Sequence, residues 1–168
     1  LEPGRYTVVA GGSMPDMTGV AIVELYDADG TEASTVLSNI SNRGFVGTGA
    51  EIMIPGLVVS SEGPKTFLIR AVGPTLGEPP FGLTGVLDDP IMTVFSGQTP
   101  IMANDNWGDN PDSDYTEQMA AQLGAFPLSE GIKDAAFVVT LAPGSYTIQA
   151  SGVDGATGTA IVEVYVVE

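Results

Sequence analysis

The chain contains one stretch twice, and this duplication constrains its fold more than any other feature of the sequence. Copy 1 is Leu1–Asp27, LEPGRYTVVAGGSMPDMTGVAIVELYD, and copy 2 is Leu141–Val166, LAPGSYTIQASGVDGATGTAIVEVYV. About half of the aligned positions are identical, and the copies lie roughly 140 residues apart. A segment repeated at this distance is expected to form the same structural unit twice.

Each copy has the sequence pattern of a β-hairpin. A Pro-Gly turn leads into a first arm rich in strand-forming residues, and a Gly-rich loop connects it to a second arm. In copy 2 the second arm alternates, with Val162 and Val164 on one face and Glu163 and Tyr165 on the other. Because a two-stranded hairpin is marginally stable alone in water, each copy needs a body on which to pack.

The residues between the copies supply this body. They form many short apolar runs separated by Gly, Pro and Asx turns, the strongest of which is Lys65–Val72. One helix is predicted at 115–123, ended by Gly124. We therefore predict an all-β chain, a β-sandwich or jelly-roll-like domain with one short helix. Its three predicted parts are an N-terminal hairpin at 1–35, a β-rich body at 36–140 and a C-terminal hairpin at 141–168.

Charge and composition exclude several classes of function. The net charge is -16 with only five Lys and Arg residues, so the chain lacks the basic surface that nucleic acid or an anionic membrane requires. It has no Cys and no His, which removes most nucleophile and base pairs and nearly all zinc sites. No apolar run approaches the length of a membrane span, so no membrane insertion is expected. We predict a protein that is not an enzyme and has no organic cofactor.

The polar loop Asn104–Asp114 is the richest cluster of oxygen ligands. Its carboxylates and amides are the ligand types that calcium prefers, although the spacing is not that of an EF-hand. The calcium candidates are Asp105, Asp109, Asp112 and Asp114. The competing interpretation is a solvated loop whose Asx residues form turns and cap the following helix.

Three other positions have a functional and a structural interpretation. Trp107 and Tyr115 could form a platform for a sugar ring, but a single Trp more often covers a core. Arg70 lies inside the strongest strand, where we expect a structural ion pair or hydrogen bonds to carbonyl groups. The adjacent pair Asp88 and Asp89 could indicate a hydrolase, but neighbouring residues usually point apart, and a turn before a strand is the favoured reading.

Several stretches together resemble a module of unknown function that recurs in tandem in very large secreted proteins of environmental bacteria. The stretches that carry the resemblance are SNISNRGFVGTG, PKTFLIRAVGPTLG, GVLDDP, ANDNWGD, GAFPL, KDAAFVVTLAPGSYTIQASG and TGTAIVEVY. They cover most of the chain and include no catalytic signature. The resemblance implies an extracellular or cell-surface β-rich building block.

The duplication leads to a hypothesis about assembly. If the body has one docking site for such a hairpin, the chain has one hairpin too many, and the surplus copy is available to a neighbouring subunit. Because donor and acceptor surfaces differ, the contact would be head-to-tail and would give open fibres or rings. About ten buried apolar side chains would contribute on the order of 15 kcal/mol before entropy costs. The predicted subunit-joining residues are Tyr6, Val8, Val20, Ile22, Tyr26, Tyr146, Ile148, Ile161, Val162 and Tyr165.

The leading hypothesis is thus a structural subunit of an extracellular polymer that binds other copies of itself by exchange of hairpins or strands. The alternative is a secreted binding module for carbohydrate or a cell surface, cut from a tandem-repeat protein. A third hypothesis is an acidic-site hydrolase that uses Asp88, Asp89 or the Asn104–Asp114 loop.

Overall fold

The computed structural model describes residues 1–14, 17–27, 36–60 and 63–167. The chain divides into two units, Leu1–Ser38 and Asn39–Glu168. No helix within the described ranges is long and apolar enough to cross a bilayer.

The second unit is a sandwich of two four-stranded sheets. Its strands are β1 (Asn39–Val46), β2 (Gly56–Val59), β3 (Lys65–Val72), β4 (Pro90–Ser96), β5 (Thr99–Asn104), β6 (Ala135–Leu141), β7 (Gly144–Gly152) and β8 (Gly158–Val167). The first sheet has the order β1-β8-β3-β6 and the second the order β2-β7-β4-β5, and neighbouring strands are antiparallel in both. This strand order is that of an eight-stranded jelly roll, which confirms the predicted fold class.

The core lies between the two sheets and follows from the alternation of side chains along each strand. Ile69 of β3 and Val162 of β8 point inward from the first sheet, and Val94 of β4 and Ile148 of β7 point inward from the second. All four are almost fully buried. The alternation predicted for β8 is confirmed, because Val162 and Val164 belong to this core while Glu163 and Tyr165 lie on the outer face of the sheet.

The predicted C-terminal hairpin is wrong, because the two arms of copy 2 do not pair with each other. β7 pairs with β2 and β4, whereas β8 pairs with β1 and β3 in the opposite sheet. Each arm can cover one side of the same core only if the chain crosses between the sheets after Gly152. Copy 2 therefore forms a corner of the sandwich, here called the β7–β8 corner, and occupies an interior position in both sheets.

Copy 1 does not form the predicted hairpin either. No strand or helix is assigned to the described residues of Leu1–Ser38, and every described residue of copy 1 is exposed. The physical reason is that its apolar arms have no sheet of their own on which to pack. The predicted N-terminal part extends to residue 35, and its residues 28–35 lie outside the described residues.

Two helices complete the second unit. The proline- and glycine-rich stretch 73–87 is predicted as loop from the sequence, but it contains α1 (Pro74–Gly77), whereas α2 (Ser113–Gln122) corresponds to the predicted helix. Gly124 follows α2 with a φ of 70°, a left-handed conformation that favours glycine and ends the helix as expected.

The sequence pattern of the body also predicts a strand at 36–46 that is broken or bulged near Asn42 and a short strand at 51–54, and the structure corrects both. The break expected near Asn42 is absent, because β1 pairs with β8 along its whole length. The strand expected at 51–54 is instead a 3₁₀ turn, Gly49–Glu51, followed by a single bridge between Met53 and Ala150.

Equivalent substitutions in the two copies should have unequal effects on stability. Ile148 is 0% exposed in the core, and its counterpart Val8 is 77% exposed. We expect Ile148→Ala to lower the free energy of unfolding by about 2–5 kcal/mol, because it leaves a cavity. Val8→Ala should change it by less than about 0.5 kcal/mol. Urea unfolding of dilute protein measures both, and a larger effect for Val8→Ala would mean that copy 1 fills the sandwich.

Candidate subunit-joining site

Copy 1 and copy 2 share local side-chain geometry although their surroundings differ. The Tyr6 hydroxyl donates to the carbonyl of Glu2 at 2.6 Å, and the Tyr146 hydroxyl donates to the carbonyl of Ala142 at 2.8 Å. Each tyrosine ring lies over the glycine two residues earlier, Gly4 in copy 1 and Gly144 in copy 2. The start of copy 1 thus repeats the tyrosine contacts that the matching sequence makes at the start of β7.

The second arms match in the same way. The Tyr26 hydroxyl donates to Glu24 Oε1 at 3.0 Å, and the Tyr165 hydroxyl donates to Glu163 Oε1 at 3.1 Å. The hydrogen bond to the Glu24 carboxylate raises the pKa of Tyr26. Copy 1 is therefore an exposed segment that locally resembles the β7–β8 corner.

The copies differ sharply in burial. Val23 is 62% exposed and its counterpart Val162 is 1% exposed. Tyr26 is 76% exposed and Tyr165 is 8% exposed. Apolar side chains that are buried in one copy are thus open to solvent in the other, where they form an exposed apolar segment of the kind that marks interaction sites.

The predicted subunit-joining residues fall into two groups. Those of copy 1 are exposed, and they are Tyr6, Val8, Val20, Ile22 and Tyr26. Those of copy 2 lie within the sandwich, buried or partly buried, and they are Tyr146, Ile148, Ile161, Val162 and Tyr165. Copy 2 is thus part of the sandwich itself, whereas the described residues of copy 1 are exposed.

A buried ion pair anchors the outer face of the first sheet. Arg70 Nη2 lies 2.9 Å from Glu163 Oε2, close in space but without hydrogen-bond angles, and both side chains are almost fully buried. Arg70 Nη1 donates to the carbonyl of Phe126 at 2.6 Å, and the guanidinium carbon lies 4.3 Å from the centre of the Phe126 ring. The sequence prediction for Arg70, an ion pair or a bond to a carbonyl, is confirmed in both forms.

The sequence pattern places Glu163 on one face of its strand but does not identify its partner, and the same is true of its counterpart Glu24. A signal was present, because each acidic residue stands between β-branched or aliphatic neighbours in a strand, at the same place in both copies. A carboxylate in such a strand is expected to have a cationic partner when it is buried.

A cavity of about 280 Å³ lies between α2 and the outer face of the first sheet. Trp107, Arg70 and Thr116 line it together with several small apolar side chains of and after α2. Within the described ranges, Arg70 Nε and Thr116 Oγ1 are buried without a hydrogen-bond partner. Trp107 is itself buried, and its indole N–H donates to the carbonyl of Ser129 at 3.3 Å. It therefore does not form the exposed sugar platform considered with Tyr115.

Asp134 is buried beside this region and has a structural function. Its carboxylate accepts from the backbone N–H of Gly73 at 2.7 Å and of Thr75 at 3.3 Å, and from the Thr75 hydroxyl. Burial raises the pKa of Asp134, although these hydrogen bonds oppose the shift. The carboxylate thus holds the start of α1 against β6.

The acidic loop does not assemble the predicted calcium site. Asp109 ends a 3₁₀ turn, Asp112 stands at the cap position of α2, and Asp114 lies in its first turn. Within the part of the chain that the structure describes, which includes Asp105 and these three residues, no three acidic side chains come together so that they could hold a metal ion. The interpretation as a turn-forming loop before a helix fits this geometry better.

Comparison with known proteins adds little to this picture. No protein-family model matches the chain. No curated protein matches it. Among solved structures, it is similar to the pre-peptidase C-terminal domain of a collagenase from Bacillus anthracis, with 13% sequence identity over 76% of this chain and 89% of that one, and a TM-score of 0.44.

The class of protein is therefore defined by the chain's own strand order, which makes it a jelly-roll β-sandwich preceded by a segment whose described residues are exposed and that repeats the sequence of the β7–β8 corner. The resemblance noted in the sequence predicted a β-rich module, and the two sheets confirm that much. Secretion, tandem recurrence and the absence of enzymatic activity stay predictions.

The two equivalent glutamates should respond differently to loss of charge. Glu163→Gln leaves the buried Arg70 without its counter-charge, so we expect a loss of about 3–5 kcal/mol in the free energy of unfolding. Glu24→Gln is the matched control on an exposed side chain and should change stability by less than about 0.5 kcal/mol. Chemical denaturation tests both variants, and equal effects would show that Glu163 is not buried against Arg70.

Proposed function

We propose that the protein is a structural subunit of an extracellular polymer, a filament, tube or surface layer, in which copy 1 of one subunit binds the sandwich of the next. The observation that carries the proposal is the exposure of copy 1, whose side chains correspond to residues buried in the β7–β8 corner. Exposure of these apolar groups is unfavourable, and contact with a second subunit would remove them from water.

The geometry of copy 1 supports this use. Its tyrosine hydrogen bonds and its Glu24–Tyr26 contact match those of the folded corner. A segment that already has the bound conformation loses less conformational entropy when it docks, so its binding is tighter for the same contacts. Backbone pairing at a sheet edge would supply the remaining hydrogen bonds.

Head-to-tail joining follows from the difference between donor and acceptor. The donor is a segment with no assigned strand in its described residues and the acceptor is a sheet, so the two surfaces are not alike and the contact does not close as a two-fold dimer. The chain's own β7–β8 corner already occupies one interior position in each sheet. The acceptor in the neighbour is therefore a different surface, or else the neighbour's corner must be displaced.

The charge of the subunit sets the conditions for assembly. With a net charge of -16, subunits repel one another at low ionic strength. The Debye length falls from about 30 Å at 0.01 M salt to about 8 Å at 0.15 M, so added salt weakens this repulsion. Added salt should accordingly promote assembly, whereas it would weaken a joint held mainly by ion pairs.

Removal of copy 1 tests the proposal. We expect the full chain to form filaments, tubes or sheets above a critical concentration in 0.15–0.5 M salt (about one to three times physiological ionic strength). A chain that lacks Leu1–Asp27 should stay monomeric under the same conditions, because it has lost the donor. Negative-stain electron microscopy shows whether each chain forms polymers, and analytical ultracentrifugation measures whether the truncated chain is a monomer.

A full-length variant controls for the effect of truncation. The double variant Val8→Asp with Val23→Asp places one charge on each arm of copy 1 and leaves the sandwich unchanged. It should fold normally and fail to assemble. A wild-type chain that remains monomeric at high concentration and high salt would contradict the proposal.

A second candidate function is binding of a carbohydrate or other surface ligand. The observation that favours it is the cavity beside Arg70, where two buried polar atoms have no partner in the described residues. Such atoms could bind a ligand hydroxyl or carbonyl group, and the apolar walls suit a ring or short chain.

The fluorescence of Trp107 gives a direct test of this second function, because the chain contains a single Trp that lines the cavity. A binding ligand from a glycan panel should change its emission in wild type. The change should be lost in Ala121→Leu, where the larger side chain narrows the cavity. No change with any glycan in wild type would remove this candidate.

A further inference from the structure

The two lateral sides of the sandwich differ, and this difference identifies where copy 1 of a neighbour would dock. One side is formed by the edge strands β1 and β2, and the other by the edge strands β6 and β5. A free edge presents unpaired backbone groups that can bind an added strand. Each side therefore offers one edge from each sheet, and the two differ in how these edges are covered.

The β5/β6 side is closed by contacts between the sheets. The side-chain oxygen of Asn104, at the end of β5, accepts from the backbone N–H of Ala136 in β6 at 3.0 Å. The backbone N–H of Trp107 donates to the carbonyl of Asp134 at 2.8 Å, next to the start of β6. The turn after β5 and helix α2 also contact β6. These contacts occupy the space that an added strand would need.

Within the described residues, the strands of the β1/β2 side carry exposed apolar side chains. Phe45 of β1 is 67% exposed and Val58 of β2 is 69% exposed. Ile40 is 39% exposed although it lies opposite Val164, which points into the core. Residues opposite each other in an antiparallel pair point to the same face, so Ile40 marks a place where the interior of the sandwich reaches solvent.

The strand directions of the β7–β8 corner suit this side. β1 is the strand next to β8, and β2 is the strand next to β7. A copy of the corner moved sideways by two strand positions would therefore place its second arm against the free edge of β1 and its first arm against the free edge of β2. Both new pairs would be antiparallel, because the moved arms keep the directions of β8 and β7.

We propose that the β1/β2 side is the acceptor for copy 1 of a second molecule of this chain, an inference that rests on the proposed function. Copy 1 adds its second arm to β1 and its first arm to β2, and so extends both sheets of the neighbour at once. Copy 1 is the expected occupant because it resembles the β7–β8 corner, which already pairs with the inner edges of β1 and β2. The two share their sequence pattern and their local hydrogen bonds.

Charge complementarity supports the same register. Glu163 lies opposite Ser41 across β1 and β8, and Arg43 is the next residue of β1 on that face. In the moved corner, Glu24 takes the place of Glu163 and would lie opposite Ser41 from the other side, with Arg43 in the diagonal position. Long side chains reach a diagonal neighbour in a sheet. Arg43 is exposed in the subunit, and it would bind Glu24 as Arg70 binds Glu163.

A charge exchange tests this contact. We expect Arg43→Glu to raise the critical concentration for assembly at least tenfold, because it sets two carboxylates against each other, and Glu24→Arg to do the same. The double variant, Glu24→Arg with Arg43→Glu, should recover most of the loss. Lys65→Glu is the matched control: it makes the same change in net charge at an exposed residue of β3, away from the β1/β2 side.

Engineered cross-links give a second measurement that does not depend on charge. The chain has no Cys, so Val20→Cys in one molecule and Phe45→Cys in another can form only the intended mixed disulfide or a symmetric one. In the proposed register these residues lie opposite each other, because the counterpart of Val20 is Thr159 and Thr159 lies opposite Phe45. The control pairs Val20→Cys with Ile101→Cys on β5, and it should cross-link much less.

The outcomes separate this inference from the proposed function. Filaments that weaken on Arg43→Glu, recover in the double variant and cross-link through residues 20 and 45 support the β1/β2 acceptor. Filaments that respond equally to Arg43→Glu and Lys65→Glu, and that cross-link equally through Ile101→Cys, overturn it while the polymer proposal stands. If the wild-type chain forms no polymer, both proposals fail.

Discussion

The interior position of the β7–β8 corner is the constraint on which the rest of the sandwich depends. β8 separates β1 from β3, and β7 separates β2 from β4, so β1 and β2 have hydrogen-bonded neighbours in the sheets only through this corner. The same two arms supply core side chains from opposite sides, such as Ile148 and Val162. A corner that crosses between sheets therefore ties both sheets and the core into one cooperative unit, which a hairpin in a single sheet could not do.

The outer face of the first sheet depends on a second interaction, the ion pair between Arg70 and Glu163. Neighbouring strands β3 and β8 hold the two residues opposite each other, Arg70 Nη1 donates to the carbonyl of Phe126, and the Tyr165 hydroxyl donates to Glu163 Oε1. Burial of two charges is costly, and such a pair contributes less to net stability than to fixing the alignment of the strands that carry it. With only five basic residues in the chain, the use of one of them inside the protein underlines this structural function.

The duplicated sequence meets two environments, and this contrast links the fold to its proposed use. In copy 2 the alternating apolar side chains are covered by the opposite sheet, whereas in copy 1 they are exposed to solvent. The local hydrogen bonds of the tyrosines are the same in both, since they depend on neighbours within the segment. Burial depends on residues far away in the chain, and it is what distinguishes copy 2 from copy 1.

The sequence by itself determined the class of fold, the span of β3, the existence of α2 and its end at Gly124, the alternation of β8 and the structural use of Arg70. All of these follow from local patterns of side chains and from the rarity of buried charge. Tertiary structure alone decided that the arms of copy 2 separate into two sheets, that the four aspartates around Asn104–Asp114 do not gather, and that one lateral side is closed while the strands of the other carry exposed apolar side chains. The reason is physical: period-two alternation specifies which face of a strand is buried, but the strand's neighbours are chosen by contacts with residues far away in the chain.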